Sequence, residues 1–425
     1  MTITKIRLSN FKSFKNLEVG LNKFNVLIGA NASGKSSFIQ IFKFLRDMTN
    51  HGLDNAISMQ GGIQYLRNIN IGQAEEFSLE VTSDKKYTRF STKTNEKEMI
   101  GIKTYKTIYK IVIKLKDEGK GFEFVEEKIS QKCDFVKLEK KKNPDEKKKY
   151  DEKEKLGEGE ITVTSLNGKI NVNLNLPIGV KIKEENLFPP FFKEEVLKDD
   201  KFESKSLLLQ YSFFIMPPIF SDFSIYDFDP KLPKKATPIT GKAELEEDGS
   251  NLAIALKNIL ENEDTKRKFS NLVRDVLPFV EDLDIEKFSD KSLLFKLREI
   301  YSENQYLPAP FLSDGTICIT ALIIALYFDR KPLIIIEEPE RNIHPYLISR
   351  LINMMKEVSE GKQIIVTNHN PDVIKHAGLE NILFVSRNKE GFSTISKLSE
   401  KEEVKIFLEN EMGIEDLYVQ NLLEI

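Results

Sequence analysis

The sequence predicts an α/β fold whose parallel-sheet core is split in two, with a β-rich insertion and a helical subdomain between the halves. Three observations predict it. Near the N-terminus a short apolar run, Phe24, Val26, Leu27 and Ile28, enters a glycine-rich turn. Helical spacing follows at Phe38, Ile39, Ile41, Phe42, Leu45 and Met48. Beyond residue 310 the same alternation returns, with apolar strands at 333–336 and 364–367 on either side of a helix at about 346–358. Between them, from about 78 to 183, the texture changes to short β-like runs with no internal repeat.

The chain opens with alternating Ile3, Ile6 and Leu8, then Leu17 and Val19, the pattern of edge strands. The turn after the first core strand reads Gly29, Ala30, Asn31, Ala32, Ser33, Gly34, Lys35, Ser36, with Ser37 next. Gly, four residues, then Gly-Lys-Ser between a strand and a helix is a phosphate-binding loop, so the core is of the P-loop NTPase kind. The glycines let backbone N–H groups curl round phosphate oxygens where the helix dipole favours an anion. Lys35 supplies a cation between the β- and γ-phosphates, and the Ser36 hydroxyl is a ligand for Mg²⁺. The absence of an Asn-Lys-x-Asp guanine reader favours ATP. Residues 1–50 carry eight Lys/Arg against two acidic residues, and part of that excess serves the nucleotide.

The β-like runs of this middle stretch are 77–82, 107–115, 122–125 and 161–176, with a Lys/Glu/Asp-dense stretch at 137–156 expected as a solvated, mobile hairpin tip. In its strand 106–116, Lys106, Lys110, Lys114 and Lys116 share one face and Tyr109, Ile111, Ile113 and Leu115 the other. The lysine row is a possible nucleic-acid track, against the plainer reading of a solvated sheet face. Residues 250–276 read as two helices closed by Pro278. The run 317–328 is a buried helix, shorter than the ~20 residues a membrane span needs. The expected division is residues 1–84 for the first half of the core, 85–215 for the insertion, 216–300 for a helical subdomain and 301–425 for the second half.

Composition bounds the class. A chain of 425 residues with net charge −3 is not built to coat nucleic acid along its whole length. Two distant cysteines, Cys133 and Cys318, lack metal spacing and are expected as free thiols. With no apolar secretory core at the start, the expected location is cytoplasmic, away from membranes.

Three further motifs follow the phosphate loop. Leu312, Ser313, Asp314, Gly315 and Thr316 precede the buried helix as a signature-type loop. Glu337 and Glu338 close the strand 333–336, and His369 follows the strand 364–367. Parallel strands deliver their C-terminal ends to one sheet edge, where a phosphate loop also sits. There Glu337 would hold the Mg²⁺ shell, Glu338 would orient or deprotonate the attacking water, and His369 would hydrogen-bond the γ-phosphate. Lys35, Glu338 and His369 are thus the candidate catalytic groups.

With these motifs in this order, the chain resembles stand-alone ABC-type ATPases of the "AAA family ATPase" kind. These are related to RecF-like, chromosome-maintenance and overcoming-lysogenization-defect proteins. The resemblance also takes in residues 6–14, Gly61-Gly62 with Leu66-Arg67, residues 226–231 and residues 247–252. It implies an ABC-ATPase head-like core and a homodimer, in which Ser313 and Gly315 of one subunit close over the γ-phosphate held by the other. Several such relatives work beside a separately encoded effector. The resemblance therefore implies a dimeric ATP switch of an anti-phage defence module, partnered by a nuclease or toxin-like product of a neighbouring gene. The rival readings are a RecF-like DNA-repair ATPase, a transporter motor subunit, and a scaffold that scarcely turns over ATP. Two features depart from the pattern: Glu337 stands where Asp is usual, and the glutamine loop has no clear match, Gln60 and Gln64 being only weak candidates. The acidic pairs Asp227/Asp229 and Asp282/Asp284 read as local turn or strand-edge residues.

Overall fold

The computed structural model describes residues 3–71, 75–90, 99–116, 121–140, 150–166, 169–184, 187, 208–209, 216–217, 219–409, 413–420 and 422–424, and three sheets carry these described residues. Two units emerge. One comprises Met1–Leu21, Ser36–Asp222 and Arg387–Thr394; the other comprises Asn22–Lys35, Phe223–Ser386 and Ile395–Ile425.

The first unit is an eight-stranded sheet in the order β2-β1-β4-β6-β7-β8-β9, with β5 beside β6. Its strands are β1 (Ile3–Phe11), β2 (Phe14–Gly20), β4 (Phe77–Ser83), β5 (Tyr87–Phe90), β6 (Met99–Leu115), β7 (Phe122–Lys140), β8 (Tyr150–Leu166) and β9 (Lys169–Asn175). Helix α1 (Lys35–His51) joins this sheet through aromatic rings: Phe44 lies 6.1 Å from Phe11 and 5.7 Å from Phe77. Such contacts add to what burial of the rings already contributes. Short helices α2 (Leu53–Met59) and α3 (Ile63–Leu66) follow.

The charged stretch 137–156 is solvated as expected, residues 151–155 being exposed, but its ends are ordered strand. Residues 137–140 and 150–156 are paired strand, continuing β7 and β8, while 141–149 lie outside the described residues. A run dense in both signs along the chain becomes complementary across the ladder. Lys155 meets Asp134 at 2.9 Å, Lys153 meets Glu139 at 3.2 Å, and Lys103 pairs with Glu152. Leu138, a rare apolar residue there, is buried.

The second unit holds a six-stranded sheet in the order β10-β15-β16-β3-β17-β18. These are β3 (Phe24–Ile28), β10 (Phe223–Tyr226), β15 (Leu333–Glu337), β16 (Gln363–Asn368), β17 (Ile382–Arg387) and β18 (Ser393–Lys397). The pairs β10–β15, β15–β16, β16–β3 and β17–β3 are all parallel. Their unbroken apolar runs suit strands covered on both faces. The split core is thereby realised, because β3 sits between β16 and β17.

Helices α4 (Leu252–Leu260) and α5 (Glu263–Val276) form as the spacing predicts. Residues 216–300 are not wholly helical, however. A small antiparallel sheet of β11 (Thr237–Pro238), β12 (Val280–Ser289), β13 (Ser292–Glu299) and β14 (Tyr306–Pro308) stands beside the helices. Buried Leu283 on β12 and Leu293, Phe295 and Leu297 on β13 supply the period-two pattern that drives it. Helix α6 (Asp314–Tyr327) is buried from Thr316 to Leu326, as its all-round apolarity demands. Then come α7 (Pro345–Ser359), α8 (Pro371–Ala377), α9 (Glu402–Glu409) and α10 (Ile414–Val419).

Candidate functional site

The parallel register brings three strand ends to one edge. Ile28 pairs with Asn368, and Glu337 pairs with Thr367. The phosphate loop leaves β3, Glu338 leaves β15 and His369 leaves β16 on that edge.

The loop is shaped by close approach. A Cβ on Gly29 would lie 2.1 Å from the Val385 carbonyl oxygen of β17, so no other residue fits. Gly34 at φ +123° and Ala32 at φ +62° turn the chain into the helix. For Ala32 that left-handed backbone is a strained conformation held by its surroundings. The Lys35 ammonium folds back over the loop, donating to the Gly29 carbonyl at 2.7 Å and the Ala30 carbonyl at 3.0 Å. Burial lowers its pKa, opposed by the carboxylates of Glu338 and Glu340. Ser36 lies exposed in the first turn of α1, followed by Ser37.

Glu338 is the centre of the other half. Its backbone takes φ +46°, and its N–H donates to the Thr367 carbonyl at 3.1 Å, which ties the ends of β15 and β16 together. One carboxylate oxygen faces His369 Nδ1 at 3.4 Å. The other accepts from Arg341 Nη2 at 2.7 Å and Nε at 3.3 Å. Burial works to raise the Glu338 pKa, but Arg341, His369 and Lys35 outweigh it and hold the carboxyl below its ordinary value. Lys35, Glu338 and His369 are thus brought into one electrostatic neighbourhood. Glu337 ends β15.

Several residues here escaped the sequence reading. Glu340 is 7% exposed, and its Oε2 is buried without a hydrogen-bond partner among the described residues. Burial raises its pKa, partly countered by His369 and Asn368. A third carboxylate two positions past Glu338 was the available signal. Arg341 bridges Glu338 to Asp227, whose Oδ1 lies 3.4 Å from its Nη1, so Asp227 is more than a turn residue. Helix α10 sets the Tyr418 hydroxyl beside the Gly29 backbone amide, a proximity no local pattern announces.

Ser313 caps α6, its hydroxyl accepting from the Thr316 N–H at 3.1 Å. Asp314 pairs with Lys234 at 2.6 Å, and Leu312 is buried while Ser313 is exposed. Gly315 packs under the loop after β15: a Cβ there would come 2.7 Å from the Asn342 carbonyl oxygen. Two large aromatic residues flank these loops in the open, Phe311 at 77% exposure and Tyr346 at 80%.

Other candidates resolve differently. The lysine row on β6 is not a uniform cationic track. Lys110 pairs with Glu126 at 2.7 Å, Lys114 stands opposite Glu123, and neighbouring Arg7 pairs with Glu18 and Glu80. Carboxylates thus interrupt the row, although Lys106 stands opposite Lys132 and Lys110 opposite Lys128. Gln64 is exposed, whereas Gln60 is buried at the end of α2. Both cysteines are free and buried. No helix among the described residues is long and apolar enough to cross a membrane.

The donor chemistry suits a nucleotide-borne magnesium. Mg²⁺ takes hard oxygen ligands and is commonly held by one or two protein groups plus phosphates and water. The Ser36 hydroxyl and Glu337 carboxylate are donors of that class. No cluster of three His, Cys, Asp or Glu among the described residues forms a self-sufficient metal cage.

The sequence matches, over residues 24–161 and 182–375, the protein family described as "AAA domain, putative AbiEii toxin, Type IV TA system". No curated protein matches the chain. Among solved structures it is similar to an SMC head bound to the C-winged helix domain of ScpA, at 17% identity and TM-score 0.47, covering 93% of this chain and 98% of that one. It is also similar to the SMC head domain from Thermotoga maritima, at 13% identity and TM-score 0.44, covering 93% and 99%. A third is the Pyrococcus furiosus Smc head with an extended coiled coil bound to the C-terminal domain of ScpA. There the identity is 17% and the TM-score 0.43, with 96% and 99% covered.

Proposed function

The chain belongs to this AAA-domain family, as an ATPase of AAA/ABC type, and from that premise we propose that it is a slowly ATP-hydrolysing dimeric switch. In this reading residues 29–37 bind the phosphates and Lys35 neutralises them. Ser36 and Glu337 ligate the Mg²⁺ that comes with ATP and offsets phosphate charge. Glu338 orients or deprotonates the attacking water, and His369 hydrogen-bonds the γ-phosphate. Ser313 and Gly315 act on the partner copy's nucleotide.

The observation that carries the proposal is the position of Glu338. It is tied by its backbone to β16, 3.4 Å from His369, and in the field of Lys35. A carboxylate kept ionised beside a phosphate loop is placed to accept a hydrogen bond from the attacking water and orient it. Exposed Phe311 and Tyr346, flanking the signature loop and the loop after β15, favour a protein surface closing there. The further reading is a regulatory ATPase of an anti-phage defence module in the cytoplasm, acting with a nuclease or toxin-like effector encoded nearby. It extends the family's toxin–antitoxin description.

The test is Glu338→Gln. It keeps size and most hydrogen bonding, so nucleotide should still bind while hydrolysis falls by about 10²–10⁴-fold, the usual worth of a positioned base. Light scattering with and without Mg-ATP should then show a trapped dimer. Normal hydrolysis by Glu338→Gln would refute the assignment.

A further inference from the structure

We propose that Arg341 is a positioning residue that latches Glu338 in a resting state, with Asp227 as the latch's outer anchor. The inference rests on the reading of Glu338 as the water-orienting carboxylate. Arg341 sits in the turn leaving β15, its N–H donating to the Glu338 carbonyl at 3.0 Å, and left-handed residues Glu338 and Asn342 bracket that turn. The turn aims the guanidinium back at the carboxylate that precedes it by three residues. Nε and Nη2 both point at Glu338 Oε2, at 3.3 and 2.7 Å, while Nη1 reaches Asp227 Oδ1 at 3.4 Å. Three of the guanidinium's donor directions are spent on two carboxylates.

The consequence follows from occupancy. Glu338 has two oxygens: Oε1 faces His369, and Oε2 is covered by Arg341. A water activated through Oε2 must take the place of an arginine N–H, since Nε and Nη2 fill both acceptor directions of that oxygen. Lys35 and Glu340 also act on its charge, neither with a hydrogen bond to its oxygens like that of Arg341. Arg341 is able to leave, because its side chain is 49% exposed and, unlike the similarly exposed His369, it has a second carboxylate, Asp227, to hold it. An ion pair so exposed is weak, worth a factor of about two to five, which suits a contact made and broken in each cycle. Asp227 gives the departing arginine somewhere to stay. This also gives a role to the Tyr226–Lys231 segment, which the phosphate chemistry leaves unexplained.

Steady-state turnover of Mg-ATP by Arg341→Ala, Arg341→Lys, Asp227→Asn and the Arg341→Ala/Asp227→Asn double variant tests the latch. Arg341→Ala should raise kcat about two- to fivefold with KM for ATP unchanged within about twofold. Arg341→Lys should stay near wild type, since it keeps a cation on Glu338. Asp227→Asn should change kcat by less than Arg341→Ala does. The double variant should match Arg341→Ala alone, because Asp227 acts only through the arginine. A fall in kcat for Arg341→Ala, a change confined to KM, or additive effects in the double variant overturns the latch. Should Arg341→Ala fold poorly, Asp227→Asn and Arg341→Lys carry the comparison. Glu338→Gln separates the two readings. If it keeps turnover, the reading of Glu338 fails; if it is inactive and Arg341→Ala shows no gain, the latch alone fails.

Discussion

Glu127 on β7 is a fully buried carboxyl, and its stability cost should be readable as a function of pH. Its Oε1 accepts from the Tyr109 hydroxyl at 2.9 Å and the Leu209 N–H at 3.1 Å, and its Oε2 accepts from the Leu208 N–H at 2.5 Å. Burial pushes the carboxyl up to about 7 from its ordinary 4.5, against those three hydrogen bonds. The folded state therefore holds the proton more tightly than the unfolded chain. The resulting stabilisation is complete below pH 4.5 and is lost as pH rises through 7. The interval corresponds to about 3 kcal/mol, at about 1.4 kcal/mol per pH unit. Urea unfolding of wild type and Glu127→Gln across pH 5 to 8.5 isolates this group, since every other titration is common to both. Wild type should lose up to about 3 kcal/mol relative to Glu127→Gln over that range. Exchange of the Leu208 and Leu209 amides should quicken in parallel in wild type alone. Superimposable pH profiles for the two proteins would refute the reasoning.

Three further outcomes are expected. Lys35→Ala should weaken ATP binding a hundredfold or more, because truncating one side of a buried charge contact commonly costs about 3–5 kcal/mol; calorimetric titration checks it. Ser313→Arg should spare nucleotide binding and cut hydrolysis, and mixing it with Lys35→Ala should restore activity at about one site per heterodimer; mixtures no better than either parent would show unshared sites. Gly29→Ala should destabilise the loop by about 1–3 kcal/mol, because the added methyl would lie 2.1 Å from the Val385 oxygen; a thermal melt measures it.

What the sequence made legible was whatever is written locally. Buried parallel strands are continuous apolar runs, so β3, β15 and β16 were readable, and so was the helix from Asp314, whose apolarity runs all round. The chemistry at strand ends followed from register alone. Long-range electrostatics was not readable. Glu340 resembles any surface glutamate, yet it is buried, and Arg341 reveals its second carboxylate, Asp227, only when the chain 114 residues earlier is brought beside it. In the stretch 137–156 the solvation was legible, residues 151–155 being exposed, but the pairing of its ends was not, because the charge complementarity lies across the ladder and not along the chain. The β12–β13 hairpin was legible in its alternation, but the adjoining helices dominated the reading of 216–300.

The placement of β3 has a temporal meaning. The backbone just before this strand is held by residues emerging far later, as when Gln363 donates to the Asn22 carbonyl 341 residues away. At about 5–20 residues per second, the ribosome releases the phosphate-loop sequence roughly 20–70 s before the strands that flank it. During that wait Phe24, Val26 and Ile28 have no sheet to enter, and the loop has the right letters without the right shape. Closing so long a loop costs little more entropy than closing a shorter one, so the delay is a matter of synthesis and not of equilibrium. The nascent chain is therefore a client for chaperones and proteases until its last third is made. A transcript truncated before β16 should yield a polypeptide that carries the complete nucleotide-binding motif and is degraded without ever binding ATP.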